Sequence, residues 1–158
     1  MAKNNHGFTL IELLIVFSII AILASTVVLY SGTYIKRGRD SQRKAELQQI
    51  RSALEMYHSD IGTYPTGTGT YIHGCGSTCG SSDCSWGSAW SCGSPSLSYM
   101  QKLPSDPTSG VSYRYFSDGA TYTIEACLEN SNDPDPNKIS PPGYGACASN
   151  TVYQLKNP

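Results

Sequence analysis

The chain has 158 residues and a formal net charge of −1, with 15% charged residues, 15 glycines and six cysteines. This length leaves room for one membrane segment and one small domain, and the near-neutral charge gives no basic excess of the kind that nucleic-acid-binding proteins have. The composition predicts a loop-rich domain with a modest core that needs covalent cross-links.

The first element is an apolar stretch, residues 8–29, which carries a single charge at Glu12. At about 1.5 Å per residue, a helix of this length measures about 33 Å, which is enough to cross a hydrocarbon core of about 30 Å. The stretch therefore predicts a transmembrane helix. Because an ionised carboxylate is costly in lipid and usually functional there, Glu12 is a candidate functional residue.

The residues around Glu12 resemble the leader junction of type IV pilins and of the major pseudopilins of type II secretion, G-F-T-L-x-E, which here begins at Gly7 and Phe8. The resemblance implies that a prepilin peptidase cuts between Gly7 and Phe8, that the new amine of Phe8 is methylated, and that Glu12 assists assembly. Cleavage creates an α-amino cation with an ordinary pKa of about 7.7–8.0, for which Glu12 is a partner in an apolar bundle. The alternative is an ordinary signal peptide or an uncleaved anchor, although a signal peptide's apolar region spans only about 7–15 residues.

The distribution of positive charge favours the opposite orientation in the membrane. Residues 1–7 contain only Lys3, whereas five cations follow the apolar stretch: Lys36, Arg37, Arg39, Arg43 and Lys44. Charge alone would keep the C-terminal domain in the cytoplasm. The leader pattern outweighs this rule, as do the six cysteines, which need an oxidising compartment. We therefore expect the leader inside and the domain outside.

Residues 34–61 have the period of an amphipathic helix. Apolar residues recur at steps of three and four and form one stripe: Leu47, Ile50, Leu54, Tyr57 and Ile61. Polar residues take the solvated faces: Lys44, Gln48, Arg51, Glu55 and His58. Gly62 can adopt the left-handed conformation that caps a helix, and Pro65 prevents its continuation.

Two later segments also resemble the major pseudopilins. Residues 57–65 have the pattern Y-x-x-D-x-G-x-Y-P, and residues 103–107 have the pattern L-P-x-D-P. Ordinary loop chemistry is the alternative for both. Many family members have a proline at the position of Leu29, and without it residues 8–61 can form one helix about 80 Å long, with Gly32 as its weakest point.

Residues 66–95 are dominated by Gly, Ser and Cys and show neither a helical nor a strand period. We interpret them as an inserted loop, which contains Trp86 and Trp90. In a cross-linked loop with little other apolar material, tryptophans usually form a local core. Contact with a ligand, a glycan or a neighbouring subunit is the alternative.

Two strand-like runs, residues 111–117 and 120–128, are separated by Asp-Gly, which is a strong signal for a two-residue β-hairpin turn. Closing such a turn sets Tyr115 opposite Tyr122 and makes one face of the hairpin apolar. We expect this face to pack on the apolar stripe of the helix. A final strand is expected at residues 151–155.

The six cysteines predict disulfides, because an even number lets every thiol pair in an oxidising compartment. Cys127 and Cys147 lie in the C-terminal region, and the other four lie close together: Cys75, Cys79, Cys84 and Cys92. Spacing predicts pairing within each group and leaves the partners within the group of four open. Cys127 and Cys147 also bracket a loop as the C-terminal disulfide of many type IV pilins does. The alternatives are free thiols for this pair and, for the four, a zinc site, which lacks the usual C-x2-C pairs.

The sequence gives weaker support for a calcium site than for the disulfides. Asp133, Asp135 and Asn137 offer oxygen ligands, and many major pseudopilins bind calcium in their C-terminal region, so these residues are the calcium candidates. An EF-hand fails, because Lys138 and Tyr144 stand where that loop requires Gly and Glu. A proline-rigid surface loop is the alternative.

The sequence gives little support for catalysis. The chain has three histidines, His6, His58 and His73, and no catalytic motif accompanies them. We therefore expect neither an enzyme nor a cofactor.

These observations predict an α+β fold in which a long N-terminal helix, first transmembrane and then amphipathic, packs on a small antiparallel β-sheet, as in pilins, with a Cys-rich loop insertion. The expected divisions are a cleaved leader, a transmembrane and filament-core helix, an amphipathic second half of that helix, and a disulfide-rich head: residues 1–7, 8–29, 30–61 and 62–158.

The resemblance implies a structural subunit of a type IV pilus or a type II secretion pseudopilus. The subunit would be made as an inner-membrane precursor and would assemble with copies of itself and minor pilins through an inner-membrane machinery, with its head periplasmic or extracellular. The helix exit and L-P-x-D-P favour the pseudopilus, and the Cys-bracketed loop favours the pilus. The alternative is a membrane-anchored or secreted small disulfide-rich binding domain.

Overall fold

The computed structural model describes residues 7–139, 147 and 149–157, and within the first helix it leaves the side chains of residues 26–31 undescribed. The sequence expectations for Lys3, His6 and Tyr144 lie outside the described residues. The chain forms two compact units, of which the first ends at Lys36 and the second begins at Arg37.

Helix α1 runs from Leu10 to Ile61 and has 52 residues. It ends where Gly62 adopts a φ of +84° and donates its N–H to the His58 carbonyl at 2.8 Å. A side chain is strained at such a φ, so glycine is the residue that suits this cap. The helix end predicted from Gly62 is confirmed.

In the first half of α1, every residue from Leu10 to Ser25 is exposed, as are Phe8 and Thr9 before it. Over the residues that the structure describes, no helix is both long and apolar enough to cross a membrane. The transmembrane helix expected at residues 8–29 is therefore not shown.

The second half of α1 carries the core of the head. Leu47, Ile50 and Leu54 are completely buried, and Tyr57 is nearly so. Ile61, expected at the end of the same stripe, is 40% exposed. That part of the prediction is wrong, because α1 ends at this residue and the chain turns away at Gly62.

Short strands follow α1. In chain order they are β1 (Gly67–Thr68), β2 (Ile72–Cys75), β3 (Ser82–Cys84), β4 (Trp90–Cys92), β5 (Leu97–Met100), β6 (Arg114–Ser117), β7 (Tyr122–Cys127), β8 (Lys138–Ile139) and β9 (Val152–Lys156). The main sheet has the order β1-β6-β7-β9-β8, and its neighbours are antiparallel. The α+β class, with an N-terminal helix packed on antiparallel sheets, is confirmed, and the final strand expected at residues 151–155 is β9.

The hairpin register differs from the expected one. Tyr115 pairs with Ile124, and Ser117 pairs with Tyr122. The expected pairing of Tyr115 with Tyr122 is wrong by two residues. Since side chains alternate between faces with a period of two, the shift leaves the same residues on the buried face.

The cause of the shift lies in the turn. The carboxylate of Asp118 accepts hydrogen bonds from the N–H groups of Ala120 at 3.0 Å and Thr121 at 2.8 Å. This Asx-type turn takes the place of the expected two-residue turn, so the loop is longer and Ser117 pairs with Tyr122 instead of Ala120. Gly119, with a φ of +93°, supplies the left-handed position that the turn needs.

The inserted segment contains strands that its composition did not predict. β2 pairs with β3 and β4 pairs with β5, as two small antiparallel hairpins. Strands of only a few residues, interrupted by register shifts, are too short to produce a readable period. Trp90 is completely buried and Trp86 packs edge-to-face against Tyr113, so both tryptophans contribute to the local core.

The residues expected on the solvated faces of α1 are exposed or half-buried, and two of them bind tyrosines of the head. Glu55 accepts hydrogen bonds from the hydroxyls of Tyr64 and Tyr122, each at 2.9 Å. Gln48 donates to the hydroxyl of Tyr153 at 3.1 Å. The tyrosine rings lie in the core while their hydroxyls reach these two polar residues, of which Gln48 is exposed and Glu55 is half-buried.

Candidate functional site

The segment before α1 is open and non-helical. Gly7, Phe8 and Thr9 precede the first helical residue, and the Phe8 side chain is 87% exposed. A Cβ placed on Gly7 meets no atom within 4 Å. The bond between Gly7 and Phe8 is therefore accessible to a peptidase in the uncleaved chain.

Glu12 caps its own helix. The hydroxyl and the backbone N–H of Thr9 donate to Oε2 of Glu12 at 2.7 and 2.8 Å, and the Glu12 N–H lies 3.3 Å from the Thr9 Oγ1 that accepts it. This is a capping box, T-x-x-E, in which two side chains satisfy backbone donors of the first turn. A capping role for Thr9 was not predicted, although the spacing of Thr9 and Glu12 is itself the signal for a capping box.

In the head, Arg43 lies at the centre of an ion cluster. Its side chain is 1% exposed and donates to Asp40 at 2.7 Å, to Asp106 at 2.8 Å and to Glu129 at 2.9 Å. Burial by itself would lower the pKa of Arg43, but the hydrogen bonds to Asp106 and Glu129 outweigh burial and raise it. A buried guanidinium is stable only with such partners. The cluster therefore holds the loop that contains Asp106 and the loop that contains Glu129 against α1.

The cluster extends to the backbone that follows β7. Asp40 accepts the N–H groups of Glu129 and Asn130, both at 2.8 Å, and Arg39 donates to Glu129 at 2.6 Å. The hydrogen bond from Arg39, assisted by Arg43, lowers the pKa of Glu129 to about 2. Glu129 therefore remains ionised over most of the acidic range.

The calcium candidates lie beside a lysine. Lys44 Nζ is 2.6 Å from Asp133 and 3.2 Å from Asp135, and it lies 5.4 Å from the ring centroid of Tyr153. Asn137 donates its backbone N–H to Asp135 at 2.9 Å. The ammonium thus neutralises the carboxylates that calcium would need. No group of three or more His, Cys, Asp or Glu suited to a metal occurs among the described residues.

All six cysteines form disulfides. Cys75 is joined to Cys84, Cys79 to Cys92, and Cys127 to Cys147. No bridge connects the inserted segment with the C-terminal pair, and no thiol is left free among the described cysteines. The first two bridges hold the inserted hairpins, and the third connects β7 with the residues that precede β9.

The histidines lie apart from each other. His58 stacks on the ring of Tyr64, with centroids 4.4 Å apart, whereas His73 Nδ1 is 2.7 Å from Asp83 on the inserted hairpin. The structure does not bring these two residues into one site.

Comparison with known families identifies the N-terminal segment. Residues 2–28 match the family model of the prokaryotic N-terminal methylation motif. The chain carries the prepilin motif of type IV pilins and pseudopilins. Proteins with this motif are structural rather than enzymatic. No curated protein and no solved structure matches the chain.

The prepilin motif covers the leader junction and the first half of α1. It includes the candidate residues Gly7, Phe8 and Glu12, as well as Thr9. The match ends before the head, so the resemblances of residues 57–65 and 103–107 to the pseudopilins stay predictions. Their structural roles are visible nevertheless, since Gly62 caps α1 and Asp106 binds Arg43.

Proposed function

We propose that the chain is a structural subunit of a type IV pilus or a type II secretion pseudopilus. It is made as an inner-membrane precursor, is cut by a prepilin peptidase before Phe8, is methylated on the new amine and assembles with copies of itself and with minor pilins. The observation that carries the proposal is the prepilin motif at residues 2–28.

The exposed junction supports the cleavage step. A peptidase needs backbone that is not hydrogen-bonded in a helix, and Gly7 and Phe8 provide it, since the first helical hydrogen bond runs from the Leu13 N–H to the Thr9 carbonyl at 3.3 Å. Since nothing lies within 4 Å of a Cβ placed on Gly7, the chain itself does not require a glycine there. We propose that the peptidase requires it.

The apolar surface of α1 supports the assembly step. The most exposed of its large apolar side chains include Leu10 at 84%, Ile11 at 67% and Ile22 at 66%. A helix that is apolar on all sides is stable only when its surroundings are apolar, in a bilayer or in a bundle of helices. A membrane precursor and a filament core supply these two environments in succession.

Replacing Gly7 with Val tests the proposal. We expect the wild-type chain to lose residues 1–7 and to gain the mass of one methyl group on Phe8, whereas Gly7→Val keeps its full length. Intact-mass measurement of chains from the producing cell checks both. Gly38→Val is the matched control, because a side chain at Gly38 also meets nothing within 4 Å, and this variant should be processed normally.

A wild-type chain that retains residues 1–7, or that is cut elsewhere, contradicts the proposal and favours an ordinary anchor or signal peptide. Shearing of cells separates the two kinds of filament: a pilus subunit is released into the medium as fibres, whereas a pseudopilus subunit stays with the envelope.

A further inference from the structure

A small cavity opens beside the inserted segment. It has a volume of about 210 Å³ and is lined by polar side chains and one aromatic ring: Thr66, Thr68, Tyr71, His73, Asp83 and Ser117. These residues come from the chain around β1, from the β2–β3 hairpin and from the end of β6. Neither the leader junction nor the ion cluster around Arg43 contributes to it.

The walls of this cavity are held in place without a ligand. β1 pairs with β6 through Gly67 and Ser117, and the disulfide between Cys75 and Cys84 links β2 to β3. The N–H of His73 donates to the Thr66 carbonyl at 2.8 Å, which ties the hairpin to the start of β1. Because binding here requires little ordering of the protein, the usual entropic cost of closing a site is small.

A histidine and a carboxylate form a pair in the cavity. His73 Nδ1 is 2.7 Å from Oδ1 of Asp83, and the two side chains are 45% and 54% exposed. The contact occupies one ring nitrogen and one carboxylate oxygen, so each side chain has a second polar atom with which to bind a ligand. The hydroxyls of Thr66, Thr68 and Ser117 can both donate and accept.

The aromatic wall is Tyr71, whose side chain is 43% exposed. The two residues before Tyr71 are held by hydrogen bonds. The Gly69 N–H donates to the Tyr115 carbonyl at 2.7 Å, and Trp86 Nε1 donates to the Thr70 carbonyl at 2.9 Å. An exposed aromatic ring on a rigid loop gives a ligand an apolar face to stack on.

The lining selects a class of ligand. A carboxylate disfavours anions, a single carboxylate paired with histidine is too little for a metal ion, and the ring of hydroxyls disfavours a purely apolar molecule. A ligand with many hydroxyls and a weakly polar C–H face satisfies all of these groups. The volume suits one ring of this kind.

We propose that this cavity binds a neutral sugar ring, with Tyr71 stacking on its C–H face and Asp83 and His73 binding its hydroxyls. A second, larger cavity of about 530 Å³ shares Asp83 and is lined by small polar residues such as Ser85, Ser88 and Ser91. It provides room for the next ring, so the ligand class is a neutral oligosaccharide. The proposal does not depend on assembly into a filament.

Titration of the ¹⁵N-labelled full-length chain tests the proposal by NMR, in micelles of a detergent without a sugar headgroup. The probes are glucose, galactose, mannose, cellobiose and maltose. With at least one probe we expect saturable shifts at residues 66–73, 83 and 117 and at the indole N–H of Trp86, which binds the neighbouring carbonyl of Thr70. The dissociation constant should lie in about the millimolar range, with the disaccharide binding more tightly than its monosaccharide.

Two variants locate the site. Asp83→Asn keeps the size of the side chain and removes a charged acceptor, and Tyr71→Ala removes the stacking face; each should weaken binding about tenfold or more. Asp60→Asn changes an exposed aspartate that does not line either cavity, and it should bind as the wild type does. Absence of saturable shifts with all five probes overturns the proposal, as do shifts that persist in both Asp83→Asn and Tyr71→Ala.

Discussion

Single residues of the second half of α1 connect it to the loops of the head. Asp40 and Arg43 precede Leu47 at the same steps of three and four that link the buried stripe, so they point into the same interface. Burying two charges is costly unless each is paired, and the pairs with Asp106 and Glu129 meet this requirement. The phase of Asp40 and Arg43 with the stripe was readable from the sequence, but the sequence predictions did not extend the stripe to these charged residues.

Replacing Arg43 with Ala should lower the free energy of unfolding by about 3–5 kcal/mol, because the change leaves buried carboxylates without their cation. Urea denaturation of the full-length chain measures the effect. Arg37→Ala removes an exposed arginine of the same helix and should change stability by less than about 0.5 kcal/mol. Equal effects of the two substitutions would show that the cluster does not stabilise the head.

Stability should also fall in acid because of Glu129. Its pKa is lowered from 4.5 to about 2 in the folded chain. A carboxylate with a depressed pKa contributes stability that is fully present above its ordinary value and is lost as pH falls from about 4.5 towards 2. Glu129→Gln should flatten this part of the profile of unfolding free energy against pH. An unchanged profile in Glu129→Gln contradicts the assignment.

At the scale of elements, the loop between β7 and β8 is attached to α1 by a lysine. Lys44 binds Asp133 and Asp135, and burial, which alone would lower its pKa, is outweighed by these two hydrogen bonds, which raise it. An internal ammonium therefore takes the place that a divalent cation would need. This contact was not predicted, because Lys44 lies nearly ninety positions from its partners along the chain.

We expect the melting temperature of the wild-type chain to be the same in EDTA and in calcium, since Lys44 already neutralises the loop. Lys44→Gln should lower stability by about 1 kcal/mol, as expected for a partly exposed ion pair. Lys102→Gln, at an exposed lysine, is the control. A rise in the melting temperature of the wild type with calcium would show that a metal displaces Lys44.

The sequence predictions were most accurate for features that depend on residues close together in the chain. The cap at Gly62 and the stripe from Leu47 to Tyr57 are local, and both are confirmed. The register of β6 and β7 was wrong because one side chain, Asp118, chose the turn. The ion cluster and the cavity beside Tyr71 join segments distant in sequence, and a single sequence has no signal for such contacts beyond the phase of Asp40 and Arg43.

At the scale of the whole molecule, Glu12 has Thr9 as its partner in the uncleaved chain, and the proposed cleavage would add a second partner. In the uncleaved chain its carboxylate caps α1 through Thr9. Cleavage before Phe8 creates a positive amine next to the same residue. We propose that capping serves the precursor, and that the charge of Glu12 serves the assembled subunit.

Glu12→Gln separates the two roles, because glutamine can still take part in a capping box but cannot neutralise an amine. We expect cleavage before Phe8 to continue and the number of filaments seen by electron microscopy to fall strongly. Ser18→Ala, another exposed polar position of the same apolar segment, should assemble normally. Normal filaments from Glu12→Gln would mean that Glu12 acts only as a cap.

The position of the ion pairs along α1 has a mechanical consequence. Residues 39–44 lie shortly after the end of the first unit at Lys36, and they bind two loops at three places: Asp106 before β6, and Glu129 and the pair Asp133 and Asp135 between β7 and β8. If the proposed subunit is held by its N-terminal helix, tension would enter the head through these residues of α1. Because the three attachments lie within six residues of one helix, we expect them to share that load rather than to break one after another.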